Sequence, residues 1–147
     1  MLKYARSSIA FQEVPNEISL SYEVCGCPLR CDGCHSPELR QDKGFPLDAS
    51  RIFADSIKYD GLISCVLFMG GDWVVQDIIG LLSFVKSQGL KTALYSGFDS
   101  VPDDITSRLD YLKVGPYKKE LGGLNSPVTN QQFFHIPTLT NLNHLFL

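Results

Sequence analysis

The sequence has no apolar run near the roughly 18 residues that a membrane-crossing helix needs. Its first ten residues, Met1 to Ala10, carry Lys3 and Arg6 but no continuous apolar stretch ahead of a small-residue cleavage site. Neither a membrane span nor an export leader is expected, and the chain is read as cytoplasmic. Basic surplus is also missing: 13 Lys and Arg stand against 16 Asp and Glu, a formal charge of −3. That argues against the positive footprint of a nucleic-acid binder and against a polybasic membrane contact, leaving a small molecule or another protein as the expected partner. Repeats, low-complexity tracts and charge blocks are absent. With 147 residues, 44% of them hydrophobic, the chain can enclose one real core, and a single domain over 1–147 is expected.

What is present is an alternation of strand and helix signals. Ile18 to Val24 alternates apolar and polar residues with period two, as a half-buried strand does. Asp48 is a natural N-cap for a short helix reaching Lys58, with Ile52, Phe53 and Ile57 expected on its buried face. Cys65 to Met69 is a short unbroken apolar run, the mark of a strand covered on both sides, and its thiol is expected to be buried and inert. Val74, Val75, Ile78, Ile79, Leu82 and Val85 recur at helical spacing, with Gly89 placed to end that helix in a left-handed turn. Lys91 to Tyr95 reads as a strand, Asp103 to Leu109 as a weak helix, Tyr111 to Val114 as a strand and Gln132 to Ile136 as another. The tail after Ile136 carries no assignable signal.

Such alternation predicts a parallel sheet. A closed eight-unit barrel takes about 250 residues, so the expected fold is α/β: a short, open partial (β/α) barrel of about five βα units. The cysteine-rich stretch, Gly70-Gly71-Asp72, Ser96-Gly97 and Gly115-Pro116 all follow the C-terminal ends of predicted strands. Parallel α/β folds gather their sites on that rim.

Of the five cysteines, four lie within Cys25-Gly26-Cys27-Pro28-Leu29-Arg30-Cys31-Asp32-Gly33-Cys34. A secreted disulfide framework would spread them through the chain. Cys27, Cys31 and Cys34 form C-x3-C-x2-C, a spacing that lets one loop wrap thiolates around an inorganic core. Three thiolates leave a four-iron cluster one corner open, and an open position separates a catalytic metal site from a closed structural one. A zinc site would want a further C-x2-C or paired histidines, and His135 and His144 stand alone. A structural metal site and uncoordinated cysteines remain the alternatives to a substrate-open cluster at this point.

This loop resembles that of the radical S-adenosylmethionine (SAM) enzymes. The longer run Gly26-Cys27-Pro28-Leu29-Arg30-Cys31-Asp32-Gly33-Cys34-His35-Ser36-Pro37-Glu38-Leu39 is similar to the activating proteins of the anaerobic (class III) ribonucleotide reductase. The likeness continues through Gly70-Gly71-Asp72, Tyr95-Ser96-Gly97, Val114-Gly115-Pro116-Tyr117 and Leu124 to Gln131. It implies that Cys27, Cys31 and Cys34 ligate a [4Fe–4S] cluster whose fourth iron binds SAM, and that one-electron reduction yields a 5′-deoxyadenosyl radical. It further implies cofactor contacts at Gly33, Cys34 and His35 around the adenine, at Gly70, Gly71 and Asp72 around the methionine end, and at Ser96 and Gly97. Glycine at 70 and 71 would let the backbone approach the cofactor closely. The implied partners are the anaerobic ribonucleoside-triphosphate reductase catalytic subunit, met by the polar stretch from Lys118 to Gln131, and reduced flavodoxin or ferredoxin as electron donor. The implied activity is hydrogen abstraction from a reductase glycine, leaving a glycyl radical. Two departures stand out: Trp73 where the family often has proline, and Cys25 where a small residue is usual. Competing readings are a small radical SAM enzyme of the queuosine-precursor type, and a non-catalytic iron–sulfur or zinc protein.

Overall fold

The computed structural model describes residues 1–28 and 44–147. Its eight strands form one sheet: β1 (Lys3–Ala10), β2 (Ser19–Val24), β3 (Phe45–Pro46), β4 (Cys65–Met69), β5 (Lys91–Tyr95), β6 (Tyr111–Val114), β7 (Gln132–His135) and β8 (Thr140–Asn141). Their order across the sheet is β3-β1-β2-β4-β5-β6-β7-β8. The central four, β2, β4, β5 and β6, are mutually parallel. Both flanks are antiparallel, β3-β1-β2 on one side and β6-β7-β8 on the other.

This corrects the expected barrel. Among the described residues there are three helices, α1 (Ala49–Lys58), α2 (Val75–Ser87) and the four-residue α3 (Asp103–Thr106). The architecture is therefore a mixed sheet with three short helices, not a helix-rich partial barrel of about five βα units. The reason lies at the ends of the chain. A parallel neighbour needs a crossover long enough to run back along the sheet, whereas an antiparallel one needs only a turn. After β6 the chain turns through glycine, asparagine and serine without a helix and returns antiparallel. Before β2 the chain supplies an antiparallel flanking strand, β1, that the sequence pattern did not reveal, since Arg6, Ser7 and Ser8 at its centre are exposed polar residues.

The helices all pack on one face. Ile52 of α1, Ile78, Leu82 and Val85 of α2 and Ile105 of α3 bury themselves against Leu20, Tyr22, Val66, Phe68, Leu94 and Leu112. Asp48 caps α1 as expected, its side chain accepting from the Arg51 amide at 2.9 Å. The expected buried face of α1 is narrower than read, because Ile52 is buried while Phe53 and Ile57 are 46% and 59% exposed. Gly89 follows the end of α2 at φ +78, the left-handed turn its position called for. The opposite, helix-free face is covered by loops: Val14, Leu124 and Phe146 pack over Cys65, Leu67, Ala93, Tyr111 and Phe133. A 3-10 turn at Asn143–Phe146 brings Phe146 there, with its ring 5.1 Å from that of Phe133. Cys65 is buried as expected, and burial pushes its thiol up to about 12. Among the described residues no helix is long and apolar enough to cross a membrane.

Candidate functional site

The four parallel strands end side by side, and the segments singled out by sequence leave them in order. Cys25 follows β2, Gly70-Gly71-Asp72 follows β4, Ser96-Gly97 follows β5 and Gly115-Pro116 follows β6. Of the metal and cofactor candidates in the cysteine loop, Cys31, Gly33, Cys34 and His35 lie outside the described residues. Cys27 is partly buried. Cys25 is 3% exposed, its amide donates to the Lys3 carbonyl at 2.9 Å, and its sulfur packs so closely that a Cβ on Gly44 would sit 2.8 Å away. Cys25 is thus packed into the strand end. No group of three or more metal-ligating side chains occurs among the described residues.

Gly70 and Gly71 have φ +96 and +103, a backbone that residues with a Cβ rarely adopt. The contacts at this pair lie within the chain itself. A Cβ on Gly70 would strike the Trp73 ring at 2.7 Å, so at this position glycine makes room for Trp73. A Cβ on Gly71 would be in ordinary contact with Ile78 and Leu2, so there the dihedral angle alone demands glycine.

The turn delivers Asp72, 6% exposed, to the Ser96 hydroxyl, which donates to Oδ2 at 2.7 Å. Ser96 is itself fixed: its oxygen accepts from the Phe98 amide at 3.0 Å, and its own amide donates to the Lys113 carbonyl at 2.8 Å. Oδ1 of Asp72 is buried and, among the described residues, has no hydrogen-bond partner. Buried acceptors are normally satisfied, and one that is not calls for an explanation. Burial pushes the Asp72 carboxyl above the ordinary aspartate range; the Ser96 bond, the residue's own backbone amide and the Lys113 charge offset only part of that. Gly97, beside Ser96, is partly buried.

At the β6 end the chain is clamped from the Leu124–Gln131 stretch. Asn130 Nδ2 donates to the Pro116 carbonyl at 3.1 Å and Gln131 Nε2 to the Gly115 carbonyl at 3.3 Å. Gly115 stands at φ +106, which favours glycine, and a Cβ there would crowd Gln131 Cα at 3.2 Å.

Beneath this rim, on the helix-free face, Glu23, Met69, Tyr95 and Lys113 are lateral neighbours in register across the four parallel strands. Two adjoining cavities open over that row. One, of about 680 Å³, is lined by Tyr95, Lys113, Tyr117, Gln131 and Phe146. The other, of about 450 Å³, is lined by Ser8, Ser21, Glu23 and Met69. Gln12 and Glu13 line both. Volumes of this order suit small-molecule ligands. Sequence reasoning missed Gln12 and Glu13, because they lie in an irregular loop with neither motif nor periodicity. It also missed the row, although the strand alternation puts Glu23, Met69, Tyr95 and Lys113 on one face.

Neither a protein-family model nor a curated protein matches the chain.

Proposed function

We propose that this chain is a cytoplasmic radical SAM activase that generates a glycyl radical on the anaerobic ribonucleoside-triphosphate reductase, with reduced flavodoxin or ferredoxin supplying the electron. The observation that carries the reading is that the start of the cysteine stretch, at Cys25, and the three glycine-containing turns leave four adjacent parallel strands at the same end. Motifs spread over some 90 residues of chain thereby share one rim.

The described residues fit such a cofactor in one specific respect. Asp72 Oδ1, buried and without a donor among the described residues, is the acceptor that the ammonium of SAM would satisfy, and a cation there would draw the raised carboxyl back to its ionised form. When bound, the [4Fe–4S] cluster and SAM supply reductive cleavage of a sulfonium carbon–sulfur bond and hydrogen abstraction from a glycine Cα. Cys27, Cys31 and Cys34 would hold the cluster as thiolates. Gly33 and His35 would flank the adenine, Gly70 and Gly71 would carry the turn that presents Asp72, and Ser96 with Gly97 would border the site from β5. Ser96 also holds Asp72 in one orientation through the 2.7 Å hydrogen bond. The two cavities on the helix-free face beside the rim would receive the glycine-bearing segment of the reductase.

Anaerobic reconstitution with iron and sulfide, followed by reduction in the presence of SAM, tests this directly. Methionine and 5′-deoxyadenosine should form, and addition of the reductase should give a glycyl doublet in electron paramagnetic resonance. Serine at Cys27, Cys31 or Cys34 should abolish cluster and cleavage, whereas Cys25→Ser should retain both. Stoichiometric zinc without cleavage would replace the proposal with a structural metal protein, and cleavage without a doublet would point to a small-molecule radical SAM enzyme.

A further inference from the structure

The loop between β1 and β2 is tied down at several points. The Tyr95 hydroxyl donates to the Glu13 carbonyl. Val14 is fully buried against the helix-free face. Glu17 accepts from Ser64, Lys91 and Tyr111 at 2.7 to 2.8 Å. Gln12 and Glu13 are thereby held where the two cavities meet. The charges lining the cavities are unequally matched. Glu23 is paired with Arg6 through contacts of 2.5 and 3.1 Å. Lys113 lies 5.5 Å from the centre of the Tyr95 ring and 3.5 Å from the Gly115 carbonyl. The Glu13 carboxylate accepts from the Gln12 amide at 3.3 Å and, among the described residues, forms no ion pair. A carboxylate on an anchored backbone that forms no ion pair among the described residues, at the junction of two cavities, favours a ligand that brings positive charge.

We propose that Glu13 is a specificity-determining residue of this cleft, selecting a ligand with positive charge between its two ends. The inference rests on the SAM reading above and deepens it: the sulfonium of SAM carries a charge that S-adenosylhomocysteine, lacking one methyl group, does not. Glu13 therefore discriminates the charged cofactor from its neutral analogue.

Anaerobic calorimetry on the cluster-loaded full chain, without reductant so that no turnover intervenes, measures the affinity for each compound. Glu13→Gln should weaken SAM about tenfold, equivalent to about 1.4 kcal/mol, and S-adenosylhomocysteine less than about twofold; Glu13→Asp should recover most of the loss. The anchoring bond uses the Glu13 backbone carbonyl, so the variant should melt as the wild type does. If it unfolds instead, the salt dependence of the wild type decides the matter, since added salt should weaken SAM and leave S-adenosylhomocysteine nearly unchanged. Equal weakening of both compounds, or of neither, overturns the role of Glu13 and leaves the parent reading standing. A wild-type chain that carries the cluster and binds neither compound overturns both.

Discussion

At the start of the parallel strands, Glu17 accepts hydrogen bonds from Ser64 and Tyr111 and is ion-paired with Lys91 at 2.8 Å; at their far ends, Asp72 has Ser96 on one oxygen and, among the described residues, no hydrogen-bond partner on the other. Both carboxylates are 6% exposed, yet their acidities move in opposite directions. Burial pushes the Glu17 carboxyl up, but the three hydrogen bonds and the Lys91 charge outweigh it and hold the group below the ordinary glutamate range. For Asp72 burial prevails and the carboxyl rises. The difference teaches how to tell a tether from a site. The Glu17 end is a finished network that ties the β1–β2 loop to β4, β5 and β6, and the Asp72 end is left incomplete, which is what the proposed ligand site rests on.

The comparison can be broken by mutation. Glu17→Ala leaves the Tyr111 hydroxyl, the Ser64 hydroxyl and Lys91 without their acceptor, and should cost about 3 kcal/mol, lowering Tm by roughly 10 °C. A melt near that of the wild type would show that the network is no tether. Gly70→Ala should come next, at about 2 kcal/mol, combining a positive φ with the Trp73 contact. Gly61→Ala, at φ +80 with nothing within 4 Å, should cost only about 1 kcal/mol; equal losses in chemical denaturation would remove Trp73 from the explanation.

The pH dependence should separate the two carboxylates by sign. Glu17 has a lowered folded value, so its contribution is complete above the ordinary glutamate range and is lost as pH falls toward that folded value. Glu17→Gln should flatten the acid limb of stability measured by urea midpoints. Asp72 has a raised folded value, so the folded state is favoured below the ordinary aspartate range and penalised as pH rises through the folded value. The smallest effect on stability therefore belongs to Asp72→Asn, within about 0.5 kcal/mol at neutral pH or slightly stabilising, while binding of SAM by the cluster-loaded chain should fall. A large stability loss with binding intact would make Asp72 the tether and reverse the comparison.

Much of the central unit was legible from local pattern. The runs Cys65–Met69, Lys91–Tyr95 and Tyr111–Val114 appear as strands at the expected bounds, because each is short, apolar and stopped by glycine or serine. The flanks were legible only in part: β7 appears within the expected run Gln132 to Ile136. β1 is polar at its centre, β8 has two residues, and the antiparallel direction of β7 depends on the absence of a crossover helix. Phe53 and Ile57 misled for a related reason: helical spacing marks a face and leaves open how much of it is covered.

The sequence by itself determined the elements of the parallel core and the residues of its glycine turns, because strand alternation and stop signals are properties of neighbouring residues. Only the tertiary structure decided that antiparallel strands would close both flanks, that Trp73 would occupy the space Gly70 leaves, and that Glu13 and Glu17 would reach across the helix-free face. Those outcomes follow from contacts between residues far apart in the chain, and the balance of burial against hydrogen bonding at each carboxylate exists only once they are made.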